Sequence, residues 1–138
     1  MSKYLDGCFY EMPMIFTNKE YKDGTVIKSK YKDVSALSQH VYGRLKQYEH
    51  MYTGSENTAE RLFFEGINNK KNWFYAENAK LADDCNVSES TIKRCKRELL
   101  DYGLIKTCKV FFVDSHGRRS MKWVTGYHLS DGEDAFDT

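Results

Sequence analysis

The sequence is short of residues that break or cross-link a chain. Among 138 residues it has one proline, Pro13, and four cysteines. Cys8, Cys85, Cys95 and Cys108 form no C-x-x-C pair, and His40, His50, His116 and His128 add no metal-type spacing. A zinc framework and a disulfide scaffold are therefore excluded, and the thiols read as reduced and mostly buried. No run of about 18 apolar residues is present, so no transmembrane helix is expected. Met1 to Asp6 lacks the apolar stretch of a signal peptide, which makes a cytoplasmic protein the expectation. Catalytic patterns are missing too. There is no Gly-rich phosphate loop, no H-E-x-x-H and no G-x-S-x-G. Asp83 and Asp84 are adjacent, and adjacent helical positions do not face each other. No enzyme, metal or cofactor is expected.

Net charge is nearly absent as well, at +1, but the total hides three blocks. Residues 1–92 hold 12 basic and 13 acidic side chains, residues 93–122 hold 9 and 3, and residues 123–138 hold none and 4. The middle block is the footprint of a surface that binds polyanions. Hydrophobic residues make up 41% and aromatic ones 14%, enough for a core without staples. The aromatics could stack on single-stranded nucleic acid. Most of them fall at core-like spacings, and core is the better account.

The apolar stretch from Phe9 to Phe16 surrounds the proline and reads as an extended arm. Val34, Leu37, Val41, Leu45 and Tyr48 are spaced for an amphipathic helix from Asp33 to about Tyr52, capped by Asp33 or Ser35. Ala59, Leu62, Phe63 and Ile67 suggest a second, shorter helix. Trp73 to Tyr75 is strand-like. Asn78 can cap a helix reaching Cys85, and Asn86-Val87-Ser88 is a tight connection. Ser88 can cap a following helix that runs to Tyr102 and stops at Gly103. Two helices around so short a turn form a helix-turn-helix. Lys106 to Asp114 and Ser120 to Leu129 are strands around a polar tip, Ser115 to Arg119.

The fold expected is α+β and mostly helical: a winged helix-turn-helix with a three-stranded sheet, an N-terminal arm and extra helices. Residues 1–130 form one domain: arm and extension 1–32, helical part 33–72, motif and wing 73–129. Residues 131–138 are an acidic tail.

At about 100° per residue, Ile92, Cys95 and Leu99 share the inner side of the second motif helix. Ser90, Arg94, Arg97 and Asp101 share the outer side, with Lys93 flanking. Arginine can bond O6 and N7 of guanine bidentately, and the first half of such a helix usually reads bases. Ser90, Thr91, Lys93 and Arg94 are the candidate base-facing set, with Arg97 on base or phosphate. Arg118, Arg119 and Lys122 on the wing suit phosphate or minor-groove contact. Asn78 and Ser88 can donate to phosphate, although capping is their first role. One such unit reads only a few base pairs, so a homodimer or higher assembly on DNA is expected. Phe9, Tyr10, Met14, Phe16 and the helix from Asp33 to Tyr52 are the candidate dimer surface.

Phe9-Tyr10-Glu11-Met12-Pro13 with Phe16, Tyr31-Lys32-Asp33-Val34-Ser35 with Val41 to Leu45, and Lys96 to Ile105 together resemble the RepA-N family of plasmid replication initiators. The likeness spans roughly residues 9–129 with gaps. Residues 17–30 and 53–72 are longer than the family pattern, and its short wing is replaced by Lys109 to Leu129. The resemblance implies a winged-helix domain that binds repeated double-stranded sites at a plasmid origin. It also implies a C-terminal domain, absent from this chain, that engages host replication proteins, with the acidic end as the start of a linker. The alternative from the residues alone is a winged-helix transcription regulator on a promoter operator.

Overall fold

The computed structural model describes residues 14–52 and 61–130. The arm from Phe9 to Pro13, Ala59 and the acidic tail fall outside them. A short 3-10 turn, Met14–Phe16, leads into a two-stranded ribbon, β1 (Lys19–Glu20) with β2 (Val26–Ile27). Helix α1 covers Ala36–Tyr52, three residues inside the expected start. Ser35 caps it: its Oγ accepts from the Ser38 amide at 3.3 Å. Val41, Leu45 and Tyr48 are buried, as their spacing requires. Phe16 meets Tyr42 edge-on at 5.5 Å between ring centroids and is itself buried. Phe16 and the apolar side of α1, both part of the candidate dimer surface, thus pack in the domain's own core.

The main sheet is a correction. It has four antiparallel strands, ordered β3-β5-β6-β4, rather than three. Strand β3 is Leu62–Phe64, where a helix was expected; β4 is Phe74–Ala76, β5 Ile105–Val113 and β6 Arg119–Leu129. Leu62 and Phe64 are buried and Phe63 is exposed, a period of two that only pairing with β5 makes visible. With nine- and eleven-residue wing strands, the domain is α+β without being mostly helical.

Each sheet face has its own cover. On one, Phe74, Ala76, Tyr127, Ile105 and Leu129 pack on the helices. On the other, Leu62, Phe64 and Val110 form a second cluster with Trp73, Tyr75 and Val124. Gly126 lies between Val110 and Phe64 in that cluster: a Cβ there would stand 2.5 Å from Val110 Cγ2 and 2.9 Å from Cys108 Sγ.

The two motif helices form as read. Helix α2 is Asn78–Cys85 and α3 is Glu89–Asp101. Asn86 ends α2 in the left-handed region at φ 57°, and Gly103 ends α3 at φ 75°. After α3 the Leu104 amide donates to Leu99 O at 3.0 Å and the Gly103 amide to Leu100 O at 2.9 Å. That pair of bonds satisfies carbonyls the helix would otherwise leave open, and it buries Leu104 under the last turn.

Candidate nucleic-acid interface

Helix α3 is held from three sides. Its inner side chains Ile92, Cys95 and Leu99 are buried among α1 and α2. On one flank Glu98 accepts from the Ser35 amide at 3.1 Å and from the Ser35 and Ser38 hydroxyls. Those hydrogen bonds hold the Glu98 carboxyl below its ordinary range. Helix α2 is fixed to α1 in turn: Tyr48 donates its hydroxyl to the Asp84 carboxylate, which also pairs with Lys80 at 3.5 Å. Helix α3 therefore cannot shift without breaking charge-assisted bonds.

The face left over is basic. Ser90, Lys93, Arg94 and Arg97 are all exposed. Among the described residues no acid pairs with Lys93, Arg94 or Arg97, whereas surface cations on α1 and α2 do pair, as in Lys46–Glu49 at 3.6 Å. Thr91 sits apart from this set. It is half-buried, and its hydroxyl is 2.9 Å from Ser88 Oγ, which also accepts the Thr91 amide at 3.2 Å. Ser88 is thus the cap of α3.

Asn78 is not a cap. It is the first residue of α2, behind Glu77, whose side chain makes no capping bond. Its Oδ1 accepts instead from Lys96 Nζ at 2.8 Å. Lys96 is not among the candidate site residues that the sequence offers. It reaches from α3 toward Thr125 Oγ1 on β6 at 3.5 Å and lies over the Tyr127 ring at 5.3 Å. All three partners are neutral, and burial, helped by the nearby Lys93 charge, lowers its pKa to about 8. A signal was present: no carboxylate stands three or four positions from Lys96 on the helix, so no local ion pair accounts for its charge.

The wing residues do not form one patch. Asp114, the hairpin's acid, is used in the turn, where its Oδ1 accepts the His116 and Arg118 amides at 2.9 Å each. Arg118 is exposed at this tip. Arg119 folds its guanidinium over Phe63, 4.6 Å from the centroid, and over Phe111 at 5.5 Å, on the face that carries the helices. Alternation along β6 puts Lys122 on the opposite face. Lys109 joins Arg119's side, 5.1 Å from the Trp123 centroid. No described helix is long and apolar enough to cross a membrane.

No known family model matches the chain, and no curated protein matches it in sequence. Two solved structures share the fold. One is described as the N-terminal domain of a DNA-binding protein: TM-score 0.56, 17% identity, covering 94% of this chain and 84% of that one. The other is a Rep–DNA complex: TM-score 0.53, 18% identity, covering 91% and 76%.

Proposed function

We propose that this domain binds double-stranded DNA sequence-specifically, with α3 in the major groove, and that it is the origin-recognition part of a plasmid replication initiator. The observation that carries the reading is the exposed row of Lys93, Arg94 and Arg97, none paired with an acid among the described residues, on a helix whose other sides are clamped. The Rep–DNA complex of like fold supports the choice of initiator. It works as a binding protein of the cytoplasm, without catalysis, and two or more copies share a site. Footprinting on the DNA flanking its gene tests this. Protection of tandem repeats supports the initiator, and one palindrome over a promoter makes it a transcription regulator. No protection of any duplex at low salt overturns DNA binding.

With a helix in one groove and a hairpin in the next, the strand between the grooves passes over the corner where Lys96 meets Thr125. A phosphate there gives the half-buried ammonium the counter-charge it lacks. Lys96→Met therefore has opposite effects on the free and bound protein. In the free domain the folded chain loses the Lys96 proton near pH 8, while an unfolded chain keeps it to about 10.5. Between those values the unfolded state holds more protons, so stability rises with pH; below about 8 the desolvation penalty is present in full. Methionine removes that penalty, so at neutral pH the variant is the more stable and its stability no longer climbs across that window. On duplex DNA it binds roughly ten-fold more weakly, the loss of one charge-assisted bond. Thermal melts across pH and a duplex titration check both signs. A variant that binds like wild type removes Lys96 from the interface.

Arg118 and Arg119 act through charge. Each neutralised phosphate adds about −0.9 to the slope of log K against log salt. Replacing both by alanine flattens that slope by up to about 2 and weakens cognate and scrambled duplexes alike. An unchanged slope on both would leave the tip in solvent.

A further inference from the structure

The helix-facing side of the wing carries a row of aromatic rings that duplex recognition leaves unused. Phe63 pairs directly with Phe111 across β3 and β5, and Phe111 with Trp123 across β5 and β6. The three rings form one row running across three strands, with Phe63 and Phe111 centroids 6.4 Å apart. Trp123 is 49% exposed, Phe63 37%, and Met121 beside them 97%. The row lies on the tip side of Thr125, where Lys96 of α3 reaches the sheet. The rings are flanked by Arg119 and Lys109, each already over an aromatic face. The hairpin's acid is consumed in its own turn.

We propose that the row Phe63–Phe111–Trp123, with Arg119 and Lys109, is a docking platform for single-stranded DNA. A duplex offers a protein the edges of its bases, since their ring faces are stacked on one another. Unpaired bases expose ring faces, and these stack on aromatic side chains and on guanidinium planes, while lysine and arginine follow the backbone. A sheet surface bearing aromatics and cations is complementary to a single strand on both counts. A second copy of this chain is the poorer fit, because it would bring the same cations face to face. The choice of a deoxy strand rests on the duplex reading above; the platform itself rests on the ring geometry. An initiator would use it to hold one strand of DNA opened beside its duplex site.

The test is fluorescence anisotropy of the full chain with labelled oligo(dT), oligo(U) and a duplex at low salt, followed also by tryptophan emission. Oligo(dT) binds and quenches Trp123. Trp123→Ala loses roughly ten-fold or more on oligo(dT), a larger loss than on duplex, and Trp123→Phe restores most of it. Arg119→Gln weakens oligo(dT) by more than it weakens the duplex and is an independent check if Trp123→Ala does not fold. No oligo(dT) binding where the duplex binds overturns the platform and leaves the duplex reading standing. So does tighter binding of oligo(U), an unchanged Trp123→Ala, or self-association by light scattering that Trp123→Ala abolishes.

Discussion

Arg94→Ala is expected to cost ~1–3 kcal/mol of affinity for the cognate duplex, roughly five- to 150-fold, and to relax preference at one base pair. Arg94 is exposed at the centre of the outer face of α3, between Ser90 and Arg97. Its guanidinium has no acid partner among the described residues, so mutation frees no buried charge and breaks no internal bond. The whole loss therefore belongs to the complex, and the free domain melts as before. Binding to a panel of single-base variants is the measurement. Equal weakening on cognate and random duplexes would make Arg94 a phosphate contact and hand base reading to Ser90 and Lys93.

Gly126→Ala acts on the fold instead. One added methyl stands 2.5 Å from Val110 Cγ2 and 3.2 Å from Phe64 Cδ2. Val110 is fully buried, branched at Cβ and fixed on the neighbouring strand, so it cannot swing away. Overpacking of this kind costs about 2–3 kcal/mol, a large share of a stability of roughly 5–15 kcal/mol. Urea unfolding should show a lower midpoint at an unchanged slope. Adding Val110→Ala opens the space the new methyl needs, so the double variant should lose less than the two single losses together. A single variant within about 0.5 kcal/mol of wild type would mean the sheet yields more readily than its packing indicates.

What could be read in the sequence was local. Ser88 as a cap, Gly103 as a left-handed stop and the inner row Ile92, Cys95 and Leu99 are all set within a few residues, and the structure has each of them. Strand β3 could not be read that way. Leu62-Phe63-Phe64 is too short for a period, and its identity as a strand comes from β5, more than forty residues later. Asn78 is a good cap by type, yet the residue in the capping position is Glu77, and Asn78 answers to Lys96 eighteen residues on. Wing directions were hidden for another reason. The register shifts between Phe111 and Val113, where two steps on β5 face four on β6, and so local an irregularity is not written in the alternation of either strand. The aromatic row could not be read either, because Phe63, Phe111 and Trp123 lie on different strands and only pairing lines them up.

The outer edges of the hairpin are both occupied. Strand β4 lies along Thr125 to Tyr127 on one side, and β3 lies along Val110 to Phe112 on the other, close to the tip. A two-stranded ribbon would bend like a loose strap, whereas this one is a beam braced along both rims and gripped through its second apolar cluster. Its shape is settled when the chain folds, not when a partner arrives. Little ordering remains to oppose association, and the distance between tip and helix is set beforehand, like the span of a caliper. A site whose two contact points are spaced differently would then be refused on length alone, whatever its bases.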